Sequence, residues 1–199
     1  VVDITLRVQA QAKIENLTTK LSKYLSPQVY ESIFSGKKNV KIEAYRKKLT
    51  VFFSDIKGFT EITDRLEPEV LSALLNSYLN EMSKIALKYG GTIDKFVGDA
   101  ILIFFGDPET KGDKEDAYSC VLMALEMQER MHHLKNLWAD QGITNPLEIR
   151  IGINTGYCNV GNFGSDQRLT YTIIGSEVNI AQRLEASAEP GGILMSYET

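Results

Sequence analysis

The sequence predicts an α+β domain, a sheet covered by helices, with a helix ahead of it. Three observations carry this. From Lys48 onward, apolar strand-like runs alternate with helical stripes; two of those runs meet in a tight turn; and residues 1–36 space their apolar side chains by alternating threes and fours. At 199 residues, with 43% hydrophobic and 24% charged, the chain has enough material for one ordinary core plus an extension.

In chain order, Ala10, Ile14, Leu17, Leu21 and Tyr24 form a narrow helical seam. Two readings stay open for it: a coiled-coil linker against a partner helix, or one amphipathic helix on its own domain. Ser35-Gly36-Lys37-Lys38-Asn39 is the expected break, giving domains 1–36 and 37–199. Leu49 to Ser54 reads as the first strand. Pro68 suits the first turn of a helix whose stripe is Leu71, Leu74, Leu75, Tyr78, Met82 and Ile85. Thr92 to Phe96 and Ala100 to Phe105 form a hairpin with Asp99 at its tip. Ala117, Cys120, Val121, Ala124, Met127 and Met131 mark a second helix. Leu147 to Asn154, Tyr171 to Ile174 and Ile193 to Ser196 read as further strands, with a helix beginning near Ser176.

Charge and cysteine content narrow the function classes. A net charge of −4 argues against a nucleic-acid binder, because no basic face is needed to account for the Lys and Arg present. With only Cys120 and Cys158, a disulfide framework is not expected, and a reducing, cytoplasmic setting is. The chain begins at Val1, shows no signal-peptide pattern and holds no apolar run of membrane-spanning length, so it reads as a piece of a longer protein. His132 and His133 are adjacent on a helix, point in different directions and read as surface residues.

Two carboxylates stand out. Asp55 ends the run Leu49-Thr50-Val51-Phe52-Phe53-Ser54, and Asp99 sits between Val97-Gly98 and Ala100-Ile101-Leu102-Ile103. A carboxylate at the end of a buried strand is costly unless it meets a cation or several donors. Each alone reads as a turn or cap residue; together they read as a divalent-metal site of the kind that takes magnesium with substrate phosphates. Gly58 lets backbone approach a ligand, and Thr60-Glu61 opens a helix whose free amides face an anion.

Four ordered segments carry a resemblance: Phe52-Phe53-Ser54-Asp55-Ile56-Lys57-Gly58-Phe59-Thr60, Asp94-Lys95-Phe96-Val97-Gly98-Asp99-Ala100, Arg150-Ile151-Gly152-Ile153-Asn154-Thr155-Gly156, and Gly175-Ser176-Glu177-Val178-Asn179-Ile180-Ala181-Gln182-Arg183. They look like the signature segments of the class III nucleotidyl cyclases, from about Arg46 to the end of the chain, and Lys23 to Val29 looks like the stretch that precedes those domains. The resemblance implies a ferredoxin-like or palm-type sheet behind an N-terminal signalling helix. It also implies two Mg²⁺ or Mn²⁺ ions per site, held by Asp55, Asp99 and the Ile56 carbonyl. The family pattern continues past Ile193 to further strands and a phosphate-binding Lys, which these residues stop short of, so the catalytic domain is read as C-terminally truncated.

On the residues alone, Lys95 reads as a solvated lysine or a partner for Asp94. In the family the matching position reads the purine: a Lys donates to adenine where guanylyl cyclases place a Glu, and Thr172 matches the second base-reading position. Asn179 and Arg183, four apart on one helix face, match the ribose-orienting residue and the residue that stabilises α-phosphate charge. Gly58, Phe59, Thr60 and Arg150 match phosphate-contacting positions.

The resemblance therefore implies an adenylate cyclase converting ATP to 3′,5′-cyclic AMP and pyrophosphate. Its sites would lie at the interface of a homodimer, downstream of a sensor domain. A guanylate cyclase and an inactive nucleotide-binding or dimerisation module remain alternatives. The Gly-Gly-Asp/Glu-Glu-Phe signature of diguanylate cyclases is absent after the hairpin.

Overall fold

The computed structural model describes residues 4–36, 41–140 and 147–199. They fall into two units, Val1–Val40 and Lys41–Thr199.

The first unit holds α1 (Ile4–Ser22) and α2 (Pro27–Phe34). The seam read from Ala10 to Tyr24 is cut short, because α1 ends at Ser22 and Tyr24 lies beyond it. Pro27 disfavours helical backbone at Ser26, and Ser26 instead caps α2, its hydroxyl accepting the Val29 amide at 3.4 Å. Along α1, Ile14 and Leu17 stay 58% and 52% exposed. Lys37, Lys38 and Asn39 of the expected break lie outside the described residues.

The second unit runs β1 (Glu43–Ile56), α3 (Phe59–Thr63), α4 (Pro68–Tyr89), β2 (Thr92–Val97), β3 (Ala100–Phe105), α5 (Asp113–Asp140), β4 (Ile149–Ser165), β5 (Arg168–Ile174), α6 (Ser176–Ser187) and β6 (Ile193–Met195). The strands order as β2-β3-β1-β4-β5, antiparallel throughout, with β6 pairing parallel to β4. Residues of period two build the layers. Phe52, Ile56, Ile101, Ile103, Ile149, Ile151 and Ile153 face the α4 and α5 stripes, including Tyr78, Met82, Cys120 and Met127. Leu49, Val51, Leu102, Phe104, Cys158 and Val160 face the other way, toward Ala181 of α6. The fold is therefore α+β, with helices on both faces of a mostly antiparallel sheet.

Two strands differ most from the sequence reading, and β5 also begins earlier, at Arg168 rather than Tyr171. The first runs from Glu43 rather than Leu49, and β4 runs from Ile149 to Ser165 rather than from Leu147 to Asn154. They pair along their whole shared length, from Glu43 opposite Asn162 to Ile56 opposite Ile149. Charged side chains from Arg46 to Lys48, and glycines at 156, 161 and 164, mask that ladder in the sequence. Gly152 has a separate reason: a Cβ there would fall 2.1 Å from the Ala181 carbonyl, so only glycine lets α6 lie on β4.

The order of strands puts β2 and β5 at opposite ends of the ladder. In a flat sheet, four strand spacings would hold them about 19 Å apart. Instead the Thr172 hydroxyl of β5 reaches Asp94 of β2 at 2.5 Å, so the sheet curls until its outer strands meet.

Candidate active site

The β2–β3 turn is Gly98-Asp99, with Val97 paired to Ala100 and Gly98 at φ 64°, the left-handed conformation glycine favours. This turn places Asp99 against the end of β1, as the sequence suggested. Its Oδ2 accepts the Ile56 amide at 2.9 Å, and its carboxyl shares a hydrogen bond with that of Asp55. Burial, then the adjoining Asp55 carboxyl, push Asp99 up to about 7, while the Ile56 amide pulls it down.

Opposite Asp55 on β4 stands Arg150. Its guanidinium lies 3.5 Å from Asp55 Oδ2 and 2.8 Å from Glu185 Oε1 on α6. Burial raises Glu185 and Arg150 lowers it. Among the described residues, no group of three or more His, Cys, Asp and Glu side chains gathers as a metal cluster. The groups here that could hold a cation are Asp55, Asp99 and the adjacent Ile56 carbonyl. This set fits a hard divalent cation: two carboxyls held against each other, one retaining its proton to about 7, gain most from a positive charge between them.

Helix α3 starts at Phe59, one residue before the expected opening, with Gly58 at its N-cap in the left-handed region, φ 69°. Gly58 and Thr60 are exposed and Phe59 packs partly against the core. The first amides of a helix have no acceptor within it, so the turn after β1 presents N–H groups next to the carboxyl pair.

Lys95 and Thr172 come together around a residue given no role of its own in the sequence reading. Asp94 has a fully buried side chain. Its Oδ2 accepts the Thr172 hydroxyl at 2.5 Å and the Ile173 amide at 3.3 Å, and its Oδ1 lies 3.4 Å from the Lys95 ammonium. Burial raises its pKa; Thr172, Lys95 and Ile173 oppose that rise. The sequence showed Asp94 only as a neighbour of Lys95, because the β-bulge between Ile93 and Lys95 that aims it at β5 leaves no mark in residue type.

Asn179 and Arg183 lie exposed on one face of α6, as their spacing requires. The structure gives neither a hydrogen bond nor an ion pair to the carboxyl pair within this chain. His132 and His133 are exposed on α5. Two further carboxylates escaped the sequence reading. Glu185 is the one beside Arg150. Asp107 accepts from Tyr45 at 2.5 Å, from Lys47 at 3.1 Å and from Tyr171, while its backbone carbonyl accepts from Thr92 at 2.7 Å. Nothing in their local sequence distinguishes them, since these partners are remote in the chain.

No helix among the described residues is long and apolar enough to cross a membrane. Cys120 and Cys158 are free and buried.

With this geometry in view, residues 40–199 match the family described as the adenylate and guanylate cyclase catalytic domain. The crystal structure of the adenylyl cyclase CyaB from P. aeruginosa is 65% identical, with a TM-score of 0.77 over 79% of this chain and 80% of that one. The guanylyl cyclase Cya2 is 38% identical, with a TM-score of 0.74 over 78% and 77% of the two chains. An adenylate cyclase 1 of Rhizobium meliloti (strain 1021) is 34% identical over 142 residues, covering 71% of this chain. The chain spans 21% of that relative and 32% of an adenylate cyclase of Anabaena cylindrica, so it corresponds to one part of larger proteins. Family match and fold agree, and the chain belongs to the class III adenylate and guanylate cyclase catalytic domain family.

Proposed function

We propose that this domain is an adenylate cyclase that converts ATP to 3′,5′-cyclic AMP and pyrophosphate. The observation that carries the reading is the facing pair Asp55 and Asp99, brought together by the Gly98-Asp99 turn and raised in Asp99 to about 7. Asp55, Asp99 and the Ile56 carbonyl would hold two Mg²⁺ or Mn²⁺ ions. When bound, such ions neutralise phosphate charge and acidify the ribose 3′-hydroxyl.

The remaining roles belong to the chain. The amides at Gly58, Phe59 and Thr60 face the phosphates, and Arg150 contacts the outer ones, leaving its Glu185 and Asp55 partners to do so. Lys95 donates to the adenine ring and Thr172 accepts from its amine. Asn179 orients the ribose, and Arg183 stabilises charge on the α-phosphate as the 3′-oxygen bonds to phosphorus and the bond to pyrophosphate breaks. The 3′-hydroxyl proton passes to solvent, since no side chain is assigned to receive it.

Asn179 and Arg183 have no hydrogen-bonded tie to the carboxyl pair of their own chain. This supports a homodimer in which one chain supplies the carboxylates and the other the base readers, Asn179 and Arg183, with two sites under two-fold symmetry. Exposed Ile174 and Ile180, 49% and 37% accessible beside that helix face, suit a protein contact. An upstream sensor would act by turning one chain against the other, where misplacement of about 1 Å costs roughly a hundredfold in rate.

The test is complementation. Asp55→Ala and Arg183→Ala proteins should each be inactive with ATP, and their mixture should recover up to about a quarter of wild-type cyclic AMP formation, as half the dimers regain one of two sites. A mixture as inactive as its components, despite demonstrated subunit exchange, rules out the shared site. Cyclic GMP from GTP as the preferred product of wild type rules out the adenylate assignment.

A further inference from the structure

We propose that Asp94 selects the purine, by fixing the direction of the Thr172 hydroxyl so that it can only accept a hydrogen bond from the base. This rests on the reading of Lys95 and Thr172 as base-contacting residues and adds what that reading lacks. A threonine hydroxyl carries one hydrogen and two lone pairs. Taken alone, Thr172 could accept from the 6-amino group of adenine or donate to the 6-oxo group of guanine with equal ease. Residue type at 172 therefore does not decide between them.

Asp94 decides. Its side chain is fully buried, and its Oδ2 lies 2.5 Å from Thr172 Oγ1 and 3.3 Å from the Ile173 amide. An ionised carboxylate has no hydrogen to give. The hydrogen between the two residues is therefore Thr172's, and what Thr172 turns outward is a pair of lone pairs. An exocyclic amine meets a waiting acceptor. A carbonyl oxygen meets lone pair against lone pair, with no donor to relieve it.

The same carboxylate works on the second reader. Its Oδ1 lies 3.4 Å from the Lys95 ammonium, whose positive charge opposes the effect of burial and favours the ionised form of Asp94. Asp94 thus sets the polarity of the contact at Thr172, while Lys95 is a donor by its own chemistry. The reach from β2 to β5 depends on the bulge between Ile93 and Lys95, which takes Asp94 out of the regular alternation. Asp94 need not touch the nucleotide, so it is a positioning residue.

The test uses a substrate pair that differs only in the polarity of the purine 6- and 1-positions, ATP and inosine triphosphate, and reads the ratio of their kcat/KM values in wild type, Asp94→Asn and Thr172→Val. The amide of Asp94→Asn can donate to Thr172, releasing the hydroxyl hydrogen toward the base. The ATP preference should then fall about tenfold or more, partly through better use of inosine triphosphate. A carboxylate that merely braces the strands would lower both substrates together and leave the ratio where it was.

The outcomes separate. If Thr172→Val lowers the ratio and Asp94→Asn does not, the role of Asp94 is wrong and base reading by Thr172 stands. If neither variant moves the ratio, the base-reading assignment has failed and the role of Asp94 with it. Should Asp94→Asn unfold, Asp94→Ser, which also can donate, takes its place; affinities for 3′-deoxy-ATP and its inosine counterpart give the same ratio without turnover.

Discussion

Two sets of carboxylates in this domain meet opposite fates. At the closed edge of the sheet, Asp107 gathers the Tyr45 and Tyr171 hydroxyls and the Lys47 ammonium, and Asp94 gathers Thr172, Ile173 and Lys95. At the end of β1, Asp55 and Asp99 face each other, with the backbone amides of Ile56 and of Asp99 itself and a guanidinium at 3.5 Å as donors. Donors supplied by the chain make a carboxylate part of the fold. Carboxylates turned on each other raise the energy of their charged forms, and that arrangement is worth keeping only if something from outside repays it. Burial alone does not tell the two sets apart; the inventory of donors does.

The comparison breaks most sharply by mutation. Asp55→Ala or Asp99→Ala should cut cyclic AMP formation by at least about a hundredfold with saturating divalent cation, while thermal unfolding shows a melting point no lower than wild type. A variant that keeps full turnover with both Mg²⁺ and Mn²⁺ would remove the pair from the chemistry. A variant that unfolds would instead place it with Asp107.

Asp107→Ala should do the reverse. It leaves two hydroxyls and an ammonium without their shared acceptor, and denaturant titration should show a loss on the order of 3 kcal/mol. Any fall in activity should track the fraction unfolded. Lost turnover in fully folded protein would show that Asp107 belongs to the reaction.

How far the sequence told these sets apart follows the same logic. Asp55 and Asp99 were legible because each closes an apolar run beside a glycine, a local pattern, and the four signature segments added the rest. The α4 and α5 stripes were legible because a helix writes its buried face every three or four residues. Asp94, Asp107 and Glu185 were not, because their partners lie 78, 62 and 35 residues away and meet them only once the sheet curls and α6 docks. The missed beginning of β1 and end of β4 have the same origin: those residues are held by ladder hydrogen bonds to each other, which charged and glycine-rich sequence does not display. The division at Ser22 to Pro27 was written in the sequence, in Ser26-Pro27, and the regular seam spacing across it obscured the signal.

The contrast also predicts a smaller, pH-dependent effect. In protein stripped of divalent cations, folded Asp99 holds its proton to about 7, whereas the unfolded chain releases it near the ordinary value of 3.8. The folded state binds more protons in that window, so the stabilisation is complete below it and is lost as pH rises toward 7. Wild type minus Asp99→Asn, compared by denaturant unfolding in chelator across that range, should show this decline. Added cation should reverse it increasingly as pH rises through 7, because the ion competes with the proton for the pair. A difference that grows more favourable with pH in chelator would mean Asp99 is not held protonated.

The mildest test asks whether the closed edge is one unit or two. Tyr171 and Thr172 are successive residues of β5, yet the first donates to Asp107 and the second to Asp94. Burial, and then the Asp107 carboxyl, hold the Tyr171 hydroxyl well above its usual range, so it remains a donor at every pH of interest. Tyr171→Phe deletes that donor but leaves Tyr45 and Lys47 on the carboxylate, so the cost should be about 1.5 kcal/mol, half or less of the Asp107→Ala effect. In the Asp107→Ala background the same change should cost less, because the carboxylate it donates to is gone and its contact with Tyr45 remains. If the edge carries two separate tasks, Tyr171→Phe leaves the preference for ATP over inosine triphosphate at its wild-type value, since Asp94 and Thr172 keep their own hydrogen bond. A preference that falls in step with stability would show that the two carboxylates act together, with Asp107 holding the strand on which Asp94 aims the hydroxyl.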